Sequence, residues 1–205
     1  MQGSIIPLFS TPLLTIEIPV PQGLSDYCLK MDKNNSFRGF INVLQSEKNI
    51  HHDAELFNVY LNEYFFYSLT TALKTIFNGN LDLTSSWVNV FSKDSYNFQH
   101  SYPNCDICFI WYVKAPEENC GGEVVFTNPN YFKISNSEEY MKPEYINRCS
   151  YYSDYKITPE DGMCLVFPSY LEHHVTKFTK ECTGISYVGN FSFDNNPPIT
   201  RFPLS

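Results

Sequence analysis

The feature that most constrains this fold is a series of short β-rich segments that begins after residue 80. Five of them can be delimited, at residues 86–91, 107–113, 123–127, 163–167 and 184–193. Clusters of Pro, Gly, Asn and Asp separate them, and these residues supply the backbone geometry of turns. Several short strands at such spacing are typical of a sandwich or a jelly-roll. We therefore predict a mainly β protein.

One long helix is predicted between Asp53 and about Phe77. Apolar residues recur there at spacings of three and four, which is the pattern of an amphipathic helix with one face against a core. The residues of that face are Leu56, Phe57, Tyr60, Leu61, Tyr64, Phe65, Leu69, Ala72, Leu73 and Ile76. Asp53 can cap the start of this helix, and Gly79 can end it.

The opening of the chain predicts an edge strand. Residues 5–18 are mostly apolar, and Pro7 and Pro12 exclude a helix and confine any strand to an edge or a strand start. The 205 residues show neither an internal repeat nor a low-complexity linker. A β-rich fold can use a chain of this length as one unit, so we predict a single domain over residues 1–205.

Charge and hydrophobicity narrow the classes of partner. The formal net charge is −8 and Lys and Arg are not clustered, which argues against a protein that binds phosphate backbones. No apolar run approaches the roughly 20 residues that span a bilayer, and the N-terminus lacks the basic start and apolar core of a signal peptide. We therefore expect a cytoplasmic protein that binds neither nucleic acid nor a membrane.

The seven cysteines are odd in number and scattered along the chain. Without a secretion signal they are better interpreted as reduced thiols than as a disulfide framework. Cys105 and Cys108 form the one close pair in the sequence. A structural zinc site normally shows a second such pair or two His at ligand spacing, so the pattern does not favour zinc.

Among the five histidines, His100 and His173 stand next to well-separated predicted strands. Iron that activates O₂ outside haem is bound by two His and one carboxylate on one face. The first His and the carboxylate usually lie two residues apart on a strand, so that both side chains point to the same face. Tyr102 occupies that position here, and a neutral phenol with an ordinary pKa of about 10 is a poor ligand for Fe(II). Asp106 is the nearest carboxylate, and it could substitute only if the strand bulges or bends.

Six short segments of the sequence, taken together, carry a further signal. They are residues 9–13 (FSTPL), 86–90 (SWVNV), 97–104 (NFQHSYPN), 111–116 (WYVKAP), 121–129 (GGEVVFTNP) and 162–175 (GMCLVFPSYLEHHV). In this order they resemble the short 2-oxoglutarate/Fe(II) oxygenases that are frequent in marine phages and bacteria. The resemblance implies a double-stranded β-helix (jelly-roll) with the long helix packed on the sheet. It also implies an oxidoreductase, namely a dioxygenase with Fe(II) and 2-oxoglutarate as cofactors.

The same resemblance assigns roles residue by residue. It implies that His100 is the first metal ligand and His173 the second, with Leu171 and Val175 fixing the register against the neighbouring His. Because the position for a carboxylate holds a tyrosine, Asp106 is the candidate for the third ligand. The predicted metal ligands are therefore His100, His173 and Asp106.

The cosubstrate position also departs from the family. Its members hold the distal carboxylate of 2-oxoglutarate with an Arg on the strand after the second His, because a planar guanidinium can pair with a carboxylate through two hydrogen bonds. The matching segment, 183–190, has Gly184 where that Arg is expected. Lys114, Lys177 and Lys180 are the basic residues that could substitute, and none stands at the matching position.

Two functions from different classes remain open. The first is an oxygenase that decarboxylates 2-oxoglutarate and hydroxylates a small-molecule or protein substrate of unknown identity, and it requires a third metal ligand and a cation in the pocket. The second is a catalytically inactive jelly-roll, a pseudoenzyme that serves as a structural or interaction protein, because fold does not fix function. A phage particle, or a homo-oligomer in the host cytoplasm, is the setting we expect for the second function.

Overall fold

The computed structural model describes residues 10–35, 39–77, 80–130, 152–193 and 201–202, together with residue 143. The strands are β1 (Leu14–Glu17), β2 (Lys33–Asn35), β3 (Phe40–Ile41), β4 (Leu44–Ser46), β5 (Leu81–Phe91), β6 (Tyr96–Asn97), β7 (Ile107–Lys114), β8 (Val124–Thr127), β9 (Asp154–Ile157), β10 (Met163–Pro168), β11 (His173–Val175), β12 (Gly184–Phe193) and β13 (Arg201–Phe202). The helices are α1 (Leu24–Lys30) and α2 (Tyr67–Leu73), with a 3₁₀ turn at Ile50–His52 and a π-helix at Leu56–Phe66. The described part of the chain is thus mainly β, as predicted.

Two antiparallel sheets carry the architecture. The larger sheet has the strand order β1-β10-β7-β12-β5-β4-β2, with β13 also paired to β5, and the smaller sheet has the order β11-β8-β9. Strands β3 and β6 form a separate pair. All five predicted strands are present, and the first of them begins earlier than expected, at Leu81. Strand β1 lies at an edge of the larger sheet, as the proline-containing opening of the chain predicted.

Strand β7 is buried on both faces of the larger sheet. Successive residues of a strand point to opposite faces. Phe109 and Trp111 belong to an apolar cluster that includes the π-helix and α2, whereas Ile110 and Tyr112 belong to a second cluster that includes Phe126 of the smaller sheet. The helices therefore cover one face of the larger sheet, and the smaller sheet covers the other. The two predicted histidine ligands lie on the side of the smaller sheet.

The predicted long helix is an 11-residue π-helix followed directly by the 7-residue α2. Asp53 caps it as expected, because its Oδ1 accepts hydrogen bonds from the backbone N–H groups of Glu55 and Leu56, each at 3.0 Å. Gly79 lies outside the described residues. The expected apolar face is only partly right: Tyr64 is 54% exposed, and Ile76, beyond the end of α2, is 47% exposed. The wider winding of i→i+5 hydrogen bonding turns Tyr64 away from the core. None of the described helices has the length and apolar character needed to cross a membrane.

Candidate metal centre

The two histidines singled out in the sequence meet in space. His100 follows β6 and His173 begins β11, and the two residues form an isolated antiparallel bridge. The N–H of His100 donates to the carbonyl of His173 at 3.0 Å, and the N–H of His173 donates to the carbonyl of His100 at 2.9 Å. The centroids of the imidazole rings are 4.4 Å apart. The chain therefore brings together the two predicted imidazole ligands, and their binding of a metal stays a prediction.

Strand β11 sets the orientation of His173. This residue pairs with Phe126 of β8 and is 1% exposed. Leu171 and Val175 are buried on the same side of the segment, and His174 alternates to the other face. The observed register is the predicted one, in which His173 rather than His174 points to the same side as Leu171 and Val175.

The backbone also fixes the tautomer of both rings. His100 Nδ1 lies 2.8 Å from the carbonyl oxygen of Phe98, and His173 Nδ1 lies 3.0 Å from that of Leu171. Since a carbonyl oxygen only accepts hydrogen bonds, each Nδ1 must carry the hydrogen, and each Nε2 keeps its lone pair. Metal-binding histidines in proteins are held in the same way, by a hydrogen bond from the ring nitrogen that does not bind the metal.

Burial keeps both imidazoles neutral. Desolvation lowers the pKa of His173 to about 3, with a smaller contribution from the neighbouring His100. Desolvation likewise lowers the pKa of His100, although the hydrogen bond to Phe98 acts in the opposite direction. A metal ligand must be the neutral imidazole, so the pair is in the right protonation state at neutral pH.

Tyr102 stands where the family has its carboxylate. Its hydroxyl lies 3.1 Å from His100 Nε2, and because that nitrogen carries no hydrogen, the hydroxyl donates. The Tyr102 ring also packs against Trp87 and His173, with centroids 5.6 and 5.5 Å apart. Burial raises the pKa of Tyr102 far above that of an ordinary phenol, so the group remains uncharged. Its hydrogen bond uses the lone pair that a metal ion would need.

Asp106 is not brought to the histidine pair. Its Oδ2 accepts a hydrogen bond from the backbone N–H of Phe193 at 2.8 Å, and its own N–H donates to the carbonyl of Phe191. These bonds tie Asp106 to the end of β12. Among the described residues, no three His, Cys, Asp or Glu side chains lie together so that they could hold a metal ion. The residues present therefore fit a metal centre in two of its three protein ligands.

A pocket opens beside the histidines, between the two sheets. It is lined by Asn89, Phe91, Asn97, Tyr102, Ile110, Tyr112, Lys114, Pro116, Gly122, His173, Val175, Phe178, Gly184, Ile185, Ser186 and Val188. Asn89 and Ser186 face each other across β5 and β12. Neither residue was predicted from the sequence. The signal each gave was a polar side chain between two apolar neighbours within a buried part of its strand.

Of the three lysines considered as carboxylate partners, only Lys114 lines this pocket. Lys177 Nζ forms an ion pair with Asp94 Oδ1 at 2.6 Å, at the surface. Lys180 is exposed and does not line the pocket. Lys114 ends β7, and its cross-strand partner on β12 is Ile185.

The position expected to hold an Arg is closed by Phe178. A Cβ atom added to Gly184 would lie 2.8 Å from Cζ and 3.0 Å from Cε1 of Phe178. The Phe178 ring stacks on Phe91, with centroids 5.3 Å apart and planes 6° from parallel. A Cβ added to Gly122 would also meet this ring, at 2.6 Å. Phe178 is thus lodged between two glycines, a role that was not predicted from the sequence.

Comparison with protein families matches residues 85–191, just over half of the chain, to a family described as "Putative 2OG-Fe(II) oxygenase". This chain belongs to that family. The cofactors of the family are Fe(II) and 2-oxoglutarate, which confirms the prediction made from the sequence. Comparison with curated protein sequences gives no match.

Two solved oxygenases share the fold at low sequence identity. HygX from Streptomyces hygroscopicus, crystallised with nickel and 2-oxoglutarate bound, has a TM-score of 0.62 and 11% identity over 90% of this chain and 84% of its own. A prolyl-4-hydroxylase from Pseudomonas putida has a TM-score of 0.57 and 10% identity over 92% and 96% of the two chains. A 2OG-Fe(II) oxygenase family oxidoreductase from Burkholderia pseudomallei has a TM-score of 0.45 and 15% identity, and the 62% of this chain that matches spans half of that protein.

Proposed function

We propose that this chain is a 2-oxoglutarate/Fe(II)-dependent oxygenase that hydroxylates a small-molecule or protein substrate, with its metal held by His100 and His173. A single observation carries the proposal: both rings are neutral, both are anchored through Nδ1, and both keep a lone pair on Nε2. The proposal includes one jelly-roll domain over residues 1–205, formed by the two facing sheets. It also includes action in the cytoplasm of a bacterium or of a phage's host.

When bound, the metal and 2-oxoglutarate supply the oxidising chemistry in this family, and the protein supplies ligands, orientation and shelter from water. The shelter is visible around His173, which contacts the rings of Phe167 and Phe126 with centroids 4.9 and 5.8 Å away. Asp106 stays the proposed third ligand. To reach the metal, the Asp106 carboxylate would have to give up its hydrogen bond from the N–H of Phe193. Its role as a ligand is therefore tested with a separate variant, Asp106→Asn.

A second candidate function rests on Tyr102. Its hydrogen bond to His100 Nε2 competes with a metal, and Phe178 fills the space beside Gly184. Both features suit a catalytically inactive jelly-roll that serves as a structural or interaction protein, for example in a phage particle or a homo-oligomer. This alternative predicts a chain that binds neither iron nor 2-oxoglutarate.

Metal binding distinguishes the two functions. The affinity for Fe(II) is measured by anaerobic titration, with and without 2-oxoglutarate, on wild type, His100→Ala, His173→Ala and Asp106→Asn. His174→Ala is the matched control, because it removes an imidazole from the same strand on the opposite face. The oxygenase proposal predicts about one iron per chain in wild type and in the control, loss of iron in the two histidine variants, and weaker iron binding in Asp106→Asn.

Tyr102→Phe adds a readout specific to this chain. It removes the hydroxyl that donates to His100 Nε2 and keeps the ring that packs on Trp87. A hydrogen bond of this kind contributes about 1 kcal/mol, so iron should bind roughly fivefold more tightly. If wild type and Tyr102→Phe are both free of iron, the second function stands instead.

A further inference from the structure

The cation for the distal carboxylate of 2-oxoglutarate cannot come from position 184 in this chain. The ring of Phe178 lies within 3.0 Å of where the first side-chain atom would be, and it is 2% exposed. Stacking on Phe91 holds it there. A cation that serves the pocket therefore comes from a position other than 184.

Lys114 offers such a cation from the adjacent strand. It lies on β7 opposite Ile185, one residue along β12 from the closed position. It lines the same pocket as His173 and Tyr102, and within the described part of the chain its ammonium has no hydrogen bond or ion pair. It is also the one Lys or Arg among the described residues that line the pocket.

The neighbours of Lys114 are hydrogen-bond donors. Tyr112 precedes it by two residues and lines the same pocket, and its hydroxyl is buried without a partner among the described residues. The amide oxygen of Asn89 accepts a hydrogen bond from Gln45 at 2.9 Å, which leaves the Asn89 NH₂ group for another acceptor. Ser186 adds a hydroxyl beside Asn89. No Asp or Glu lines the pocket in the described residues.

We propose that Lys114 binds the distal carboxylate of 2-oxoglutarate, with Tyr112 and Asn89 as further donors, and so replaces the Arg that the family carries on the next strand. Two observations support the proposal: the filled space at Gly184, and a lysine and a buried hydroxyl that line the same pocket and have no partner among the described residues. A carboxylate would pair the ammonium and satisfy the hydroxyl, whose isolation is otherwise unfavourable. The proposal rests on the proposed function, because it places the ligand of that function in the same pocket.

The test compares two ligands by calorimetry on the full chain in the presence of Ni(II), which binds without oxidising the protein. The ligands are 2-oxoglutarate and 2-oxobutanoate, which keeps the 2-oxo acid and lacks the distal carboxylate. Lys114→Met removes the charge and keeps a side chain of similar length. Lys177→Met is the matched control, since Lys177 pairs with Asp94 at the surface. The affinity for Ni(II) alone is measured for each protein as well.

We expect Lys114→Met to bind 2-oxoglutarate about 10- to 100-fold more weakly, which is the loss typical of a hydrogen bond to a charged group. Its preference for 2-oxoglutarate over 2-oxobutanoate should fall to near one, whereas its affinity for Ni(II) should stay within about twofold of wild type. Lys177→Met should match wild type in all three quantities. The expected result is thus measured as ligand affinity and does not require the protein to convert a substrate.

Other outcomes separate the two proposals. If Lys114→Met keeps both its affinity for 2-oxoglutarate and its preference, Lys114 is not the partner, even though the metal site survives. If wild type binds Ni(II) but not 2-oxoglutarate, the role of Lys114 and the dependence on 2-oxoglutarate are both overturned, and only the metal site stands. If 2-oxoglutarate binds through Lys114 in a chain that takes up no metal, the inference holds and the oxygenase function fails. If wild type binds neither, both proposals are wrong.

Discussion

Gly184→Ala would add one methyl group where the ring of Phe178 already stands. The new Cβ would lie 2.8 Å from Cζ and 3.0 Å from Cε1, inside the separation of about 3.5 to 4.0 Å that carbon atoms prefer. Neither side can yield easily, because β12 is paired on both of its edges and the ring is buried. Overpacking of a core costs about 1 to 3 kcal/mol, so we expect the free energy of unfolding to fall by about 2 kcal/mol.

Phe178→Leu provides the background in which that cost should vanish. Leucine lacks Cε1 and Cζ, the two ring atoms that the new Cβ would meet. Without the overlap, alanine should match glycine in the strand or stabilise it by about 0.5 to 1 kcal/mol, because glycine loses more conformational freedom on folding. The double variant should therefore show a coupling energy of about 2 to 3 kcal/mol between the two positions.

The assay is equilibrium unfolding in urea of wild type, the two single variants and the double variant, with the slope of each transition compared as well as its midpoint. Gly189→Ala is the control, since its Cβ would meet Phe109, a residue of the cluster on the helix side of the larger sheet. That substitution should cost the same with Phe or Leu at position 178. An equal cost of Gly184→Ala in both backgrounds would show that Phe178 is not what excludes a side chain at Gly184.

Three further predictions concern groups away from the histidines. Asp53→Ala removes the cap of the long helix and should cost about 1 kcal/mol in the same unfolding assay, with an unchanged slope. Burial and the hydrogen bond to Asp53 raise the pKa of Tyr27 to about 12, so the folded state holds this proton more tightly than the unfolded state does. Its contribution is complete below pH 10 and is lost between pH 10 and 12, and Tyr27→Phe should flatten the fall in stability measured over that range. Cys105 should be the first of the described thiols to react with iodoacetamide, as peptide mapping would show, because it is half-buried and the hydrogen bond from Cys108 lowers its pKa. Preferential alkylation of Cys108, whose thiol is buried, would contradict that assignment.

The strands could be predicted because their signals are local. Turn residues bracket each of the five strands that were delimited in the sequence, and a run of apolar residues such as that of β7 needs cover on both faces wherever it lies in the fold. The histidine pair was predictable for a related reason: each residue occupies a motif position, and alternation along β11 decides which of two neighbouring histidines points inward.

The remaining features depend on contacts between distant residues. The π-winding of the long helix moves Tyr64 off the predicted face, and the spacing of apolar residues does not reveal it. Phe178 fills the space beside Gly184 because a third position, Gly122, also lacks a side chain. Asp106 follows Tyr102 closely in sequence, yet the backbone of β12 holds its carboxylate. The position of each of these side chains depends on residues that are distant along the chain. Neighbouring residues in the sequence therefore do not predict it.

The reciprocal backbone hydrogen bonds between His100 and His173 hold the two imidazoles in place independently of the residue at position 102, where a third metal ligand would stand. Because main-chain hydrogen bonds hold the pair, replacing the side chain at Tyr102 does not require the histidines to be positioned anew. A lineage with this scaffold can therefore lose or regain a carboxylate by one substitution while the preorganised pair persists. In such a fold, the residue at the third position can change in evolution at little cost to the architecture that holds the histidine pair.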